Sequence, residues 1–156
     1  MEALLRLADK LQGVGPYTNE GPIPASRLHM NVWLNLRQTI TTELSIHGLK
    51  VIKENFPCGT AACACGWAGS DPWFRKRGFF TGPDFGVCYV KYNEATDKHD
   101  KHYDFLGVMM FFDIPNYEDA KYLFFPYSSY EQTPNAVAMR IREYVRKMKD
   151  IMNYSA

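Results

Sequence analysis

Leu4, Leu5, Ala8 and Leu11 recur at helical spacing along "MEALLRLADKLQ", which predicts a short helix over residues 2–12. The pattern then breaks. "GVGPYTNEGPIPAS" (13–26) carries Gly and Pro throughout and predicts a loop, long enough to serve as a lid. Apolar residues return at Leu28, Met30, Trp33, Leu34 and Leu36, where the spacing looks helical. "TITTELSI" and "LKVIKENF" mix β-branched and polar residues, so residues 39–56 stay open between strand and helix, with His47-Gly48 reading as a helix stop.

Residues 60–69 predict a helix with Gly59 or Thr60 near its start. Asp71-Pro72 opens a second short helix, with Asp as N-cap, Pro at the first position and Gly78 as the stop. "GVCYVKY" (86–92) is the best strand, and "NEATDKHDKHYD" reads as a polar segment leading into a helix over 102–111. Asn116, followed by Glu118 and Asp119, starts a further helix that Pro126 ends. Thr133-Pro134 opens the last helix, to about residue 152, with one apolar stripe of Val137, Ile141, Tyr144, Val145, Met148 and Ile151. These elements predict a mainly α fold (α+β with a minor strand element), compact and built as one domain over residues 1–156.

Composition narrows the class. The 156 residues are 46% hydrophobic, enough for a real core and far from a disordered composition. The longest apolar runs, such as "FLGVMMFF", are too short to span a membrane. "MEALLRLADKLQ" contains acids and an amphipathic pattern, unlike a signal or transit peptide, so a cytoplasm is expected. The formal net charge of +1 gives no global field toward nucleic acid or an anionic membrane. Local charge is more telling. "FRKRGFF" (74–80) is a basic knot among aromatics that could face an anion, whereas "RIREYVRKMK" (140–149) reads as a solvated helix face.

"CGTAACACGWAG" (58–69) concentrates the candidate chemistry. Zinc could draw on Cys58, Cys63 and Cys65 with Cys88, or with the pair His99 and His102. The spacing is poor for a knuckle, and a helix would point Cys63 and Cys65 to different faces. Cys58 could act as a nucleophile with His29, His47, His99 or His102 as base, but no local signature supports it. Packing explains Ala61, Ala62, Ala64, Gly66, Ala68 and Gly69 equally well, with the cysteines as small hydrophobes. Anion binding is the remaining reading. Backbone N–H groups at a helix start near Gly59 and Thr60 would hold phosphate, Arg75 and Arg77 would assist, and Trp67, Trp73 or Tyr17 would stack on a base.

The chain resembles a group of small phage and bacterial proteins that share Cys-Gly-Thr, two small residues, Cys, two residues, Gly, an aromatic or His, then Ala. Here that pattern is Cys58-Gly59-Thr60, Cys63, Gly66, Trp67 and Ala68. "LHMNVWL" (28–34), "FLGVMMFF" and "AKYLFFP" (120–126) are similar to its flanking segments, with Leu28 and Val108 departing from the usual residues. The resemblance implies a phage or bacterial source and a compact helical fold, and carries no catalytic assignment. By analogy of context, such proteins act against host defence, some by sequestering nucleotide signals.

The expectation is therefore a non-enzymatic, cofactor-free binding protein in a bacterial cytoplasm. Its ligand would be a small phosphorylated molecule of cyclic-nucleotide or ADP-ribose type, held as by a phage sponge, with neither nucleic acid nor membrane as partner. A near-neutral charge and aromatic loops would let it form a homo-oligomer. The alternatives are a phosphodiesterase or thiol hydrolase, and an inhibitor acting through protein–protein contacts.

Overall fold

The apolar spacing at the N-terminus forms the helix it predicts: α1 is Glu2–Gln12, with Leu4, Leu7, Ala8 and Leu11 fully buried. Gly13 ends it at φ 64°, the left-handed conformation that glycine adopts without penalty. The structure is a computed structural model that describes residues 1–30, 32–36, 43–52, 62–125 and 132–155. Cys58, Gly59, Thr60, Ala61 and Pro126 lie outside these residues, as do positions 39–42 and 53–56 of the ambiguous stretch.

After α1 the chain makes two single 3₁₀ turns, Gly15–Tyr17 and Ala25–Arg27. Strands β1 (Glu43–Ile46) and β2 (Leu49–Ile52) form an antiparallel hairpin. His47-Gly48 is its two-residue turn, with φ 51° and 79°, and not a helix stop. Two short helices follow, α2 (Ala64–Ala68) and α3 (Pro72–Lys76). A three-stranded antiparallel sheet has the order β3 (Phe79–Gly82), β4 (Gly86–Asn93), β5 (Lys98–Tyr103). The chain closes with α4 (Asp104–Phe112), α5 (Tyr117–Phe124) and α6 (Pro134–Ser155).

The expectation of a mainly α fold is overturned. Among the described residues two antiparallel sheets hold five strands beside the helices, so the fold is α+β. The larger sheet organises the core because both of its faces are covered. Phe79, Val87 and Tyr89 point toward the helices, against Phe111 and Phe112 of α4. Phe80, Cys88 and Val90 point the other way, against Leu49 and Val51 of the β1–β2 hairpin. This is the two-residue alternation of a strand, hidden in the sequence because both faces carry apolar residues.

Three further expectations change. The polar run at 98–103, "KHDKHY", is an edge strand, and its pairing from Asn93↔Lys98 to Cys88↔Tyr103 explains its order. The helix expected over 60–69 begins only at Ala64: Ala62 pairs with Leu28 as a parallel bridge, and Cys63 is the N-cap. On α6, the stripe is buried from Val137 through Val145, but Ile151 is 58% exposed, so the helix outruns the core.

Helix α2 reaches the sheet only because its surface is bare. A Cβ on Gly69 would stand 2.0 Å from Thr81 Oγ1 and 2.4 Å from Thr81 N, and Thr81 N donates to Gly69 O at 3.1 Å. Backbone on both sides prevents relief. Gly69→Ala is expected to destabilise the protein by about 3 kcal/mol, read as a lowered urea midpoint. An unchanged midpoint would refute this contact.

Candidate functional site

The site is built around one carboxylate. Asp71 caps α3, its Oδ2 accepting from Trp73 N at 3.1 Å, as the Asp-Pro start predicts. Only 5% of Asp71 is exposed. The same Oδ2 accepts from the Tyr17 hydroxyl at 3.0 Å, and Oδ1 accepts from Lys10 Nζ at 3.3 Å. Lys10 lies in the last turn of α1, at the border of the apolar stripe, and is itself buried. Its Nζ sits 5.0 Å from the Tyr17 ring centroid and 3.8 Å from Glu20 Oε2.

Loop 13–26 supplies Tyr17 and Glu20. Its backbone is fastened to α1 by Val14 N donating to Asp9 O at 3.0 Å and Ile23 N donating to Leu11 O at 3.1 Å. Beside the loop is an open cleft of about 220 Å³, whose walls include Lys10, Glu20, Ile23, Arg27, Trp67 and Ser70. The Trp67 indole forms part of the wall. Its Nε1 donates to Arg27 O at 2.9 Å, and the Arg27 guanidinium carbon stands 4.8 Å from the ring centroid. Ser70 Oγ donates to Trp67 O at 2.7 Å. Hollows of about 390 Å³ beside Met1, Arg6 and Lys149, and about 370 Å³ beside Tyr92 and His102, are larger. Their walls hold only half-buried and exposed residues.

The residues singled out in the sequence separate into three groups. Tyr17, Trp67 and Trp73 gather near Asp71, although Trp67 is only 8% exposed beneath Arg27. Trp73 is flanked by two guanidiniums, Arg6 at 5.1 Å and Arg77 at 3.6 Å from its centroid. Arg6 Nε also donates to the Tyr17 hydroxyl at 3.1 Å. Arg75 turns inward instead. Its Nε donates to Gly69 O at 2.9 Å and its Nη1 to Ile52 O at 2.7 Å, tying α2 to the end of β2. Burial pushes its guanidinium pKa down against the attraction of Asp71. Gly59 and Thr60 lie outside the described residues.

Sequence reasoning missed Lys10, Glu20, Arg27 and Ser70 as site residues. The one available signal was Lys10, a charge bordering the apolar face of an amphipathic helix.

The cysteines form no metal centre: among the described residues no three His, Cys, Asp or Glu side chains converge to hold an ion. Cys63, Cys65 and Cys88 are buried free thiols. Burial pushes Cys65 well up, and its hydrogen bond to Cys63 adds to this. The same burial opposes ionisation of Cys63, but the Cys65 thiol and the Gly66 N–H, 3.3 Å from Sγ, outweigh it and hold Cys63 low. With 4% and 0% exposure, the pair serves packing and capping.

Comparison of the chain with protein-family models, curated proteins and solved structures finds no match in any of the three. No helix among the described residues is long and apolar enough to cross a membrane.

Two outcomes follow from the Asp71 node. Asp71→Asn keeps a capping side chain but leaves the Lys10 ammonium with only the exposed, more distant Glu20 as counter-ion, and should cost about 3 kcal/mol in chemical denaturation. A loss below about 1 kcal/mol would show that the node is not structural. The second outcome concerns alkali. Burial raises the Tyr17 pKa well above that of a free phenol, and the Asp71 charge adds to this against Arg6. Burial and Asp119 do the same for Tyr144. Both phenols are neutral in the folded protein where the unfolded chain has begun to ionise, so their contribution is complete below about pH 10 and lost as pH rises beyond it. Unfolding free energy should fall more gently above pH 10 in the Tyr17→Phe, Tyr144→Phe double variant than in the native protein. Parallel pH profiles would refute the assignment.

Proposed function

We propose that the protein is a non-enzymatic binding protein for a small phosphorylated, nucleotide-type ligand, held in the cleft between α1, loop 13–26 and α2. The observation that carries this reading is the Lys10 ammonium. It has three donors, is nearly buried, opens on the cleft, and makes one hydrogen bond, to Asp71 at 3.3 Å. A phosphate oxygen at Lys10 would receive charge-assisted bonds in a sheltered position. Arg27 and Ser70 extend the polar wall, and the indole of Trp67 gives the cleft an aromatic side. A base would lie over the Arg27–Trp67 pair, against a cation already stacked on an aromatic ring.

The phosphate anchor is thereby Lys10 rather than a helix start. α2 has five residues beginning at Ala64, too short to gather much dipole. Arg77 and Trp73 belong to the neighbouring face beyond Tyr17, where Arg6 joins them. On the resemblance to small phage proteins, the role of such a site is to sequester a host nucleotide signal in a bacterial cytoplasm.

Calorimetric titration with cyclic mono- and dinucleotides, ADP-ribose and adenosine 5′-monophosphate tests the reading. At least one ligand should bind with a micromolar Kd, and Arg27→Ala should weaken it by about tenfold, the worth of a charge-assisted bond. The ligand should be recovered intact after denaturation. Absence of binding at millimolar ligand overturns the proposal, and recovery of a cleaved product replaces it with an enzyme.

A further inference from the structure

The charges around the cleft raise a question about how an anion enters it. Lys10 and Arg27 are positive, Glu20 and Asp71 negative, so the four groups sum to zero. The two carboxylates are not equivalent. The Asp71 side chain is 6% exposed and accepts from Tyr17 and the α3 backbone as well as from Lys10. The Glu20 side chain is 59% exposed and stands 3.8 Å from Lys10 Nζ, beyond a direct hydrogen bond. Asp71 is fastened at three points, while Glu20 rests against the ammonium as a loose counter-ion.

We propose that Glu20 is a resident stand-in for the ligand's phosphate, occupying the place beside Lys10 that the incoming anion takes. The inference rests on the cleft being the binding site. Release of Glu20 requires only rotation of its own side chain into solvent. The loop backbone stays in place, held at Tyr17 through Asp71 and at Ile23 through Leu11. Loop 13–26 is thus a fixed wall carrying a side-chain gate, not a hinged lid. While Glu20 is in place, the attraction of Lys10 for a remote anion is cancelled. Once it swings away, the cleft carries one net positive charge, which attracts the ligand's phosphate. The exchange replaces a long, solvent-exposed ion pair, a weak interaction, with a direct charge-assisted hydrogen bond. It also sets specificity: a phosphate dianion competes well with one carboxylate, whereas a neutral nucleoside has nothing to put beside Lys10.

The test uses the full chain as native protein, Glu20→Gln and Glu118→Gln. Glu118 lies on α5 with its side chain 80% exposed, so its variant makes the same change in net charge away from the cleft. Titration with adenosine 5′-monophosphate and with adenosine should give about fivefold tighter nucleotide binding for Glu20→Gln, from removal of one exposed competing charge. Glu118→Gln should match the native protein, and adenosine should not distinguish the three. Equal affinity of native and Glu20→Gln protein for the nucleotide overturns the gate while leaving the cleft intact as a site. A gain reproduced by Glu118→Gln also overturns it, since the effect would then be one of net charge. Binding of neither probe to any of the three overturns the gate, and the binding reading falls with it where the cyclic nucleotides and ADP-ribose also fail to bind.

Discussion

A carboxylate taken out of water must be compensated, and Asp71 sets much of the arrangement around it for that reason. It begins as a local necessity, because a helix opening at Pro72 has N–H groups to satisfy and Asp71 supplies the acceptor. Its 5% exposure turns the cap into a long-range constraint. A negative charge at that depth calls for a cation, which α1 provides in Lys10, and for further donors, which the loop provides in Tyr17. The start of α3 is thereby fixed to α1 and the loop that follows it, more than fifty residues away in sequence, by one side chain. The buried pair is better understood as specifying this arrangement than as a large net gain, since the two desolvation costs offset much of the attraction.

Elements with a one-sided surface were legible. α1 announces itself by apolar spacing, α3 by Asp-Pro, and α5 by Asn116, whose side chain accepts from Asp119 N at 2.9 Å. β4 was visible because Val87, Tyr89 and their neighbours are strand formers. What hid the α+β class was coverage from both sides. Phe79 and Phe80 point to opposite layers, so "FFTG" shows no alternation, and the short hairpin β1–β2 is largely exposed on its outer strand. β5 was hidden for the opposite reason. "KHDKHY" is an edge with little burial, held in place by its ladder to β4. Charged residues are a usual way to blunt such an edge.

The site was legible in its aromatic members and not in its charges. Tyr17 was singled out as an aromatic in a Pro-rich loop and stands at the centre of the network, although its hydroxyl serves Asp71 and Arg6. Arg75 and Arg77 looked alike in "FRKRGFF", yet a single helix sends one inward to two backbone carbonyls and leaves the other on a surface indole. Two residues of spacing on a helix separate directions by about half a turn, which composition alone does not resolve. Lys10, Glu20 and Arg27 are scattered over helix, loop tip and 3₁₀ turn, and only tertiary packing brings them to one cleft.

On the proposed binding reading, structure and binding meet in Lys10. An ammonium on a flexible four-carbon stem normally loses much conformational freedom when it grips a ligand. Here Asp71 and the face of Tyr17 have already placed it, so that cost belongs to folding and not to binding. Asp71 takes one of the three ammonium donors, which leaves others for an anion on the cleft side. Glu20 holds a second, weaker claim on the ammonium from the solvent side, the one an incoming anion would displace. The inner carboxylate fixes where the cation is, and the outer one occupies the direction from which it would be approached.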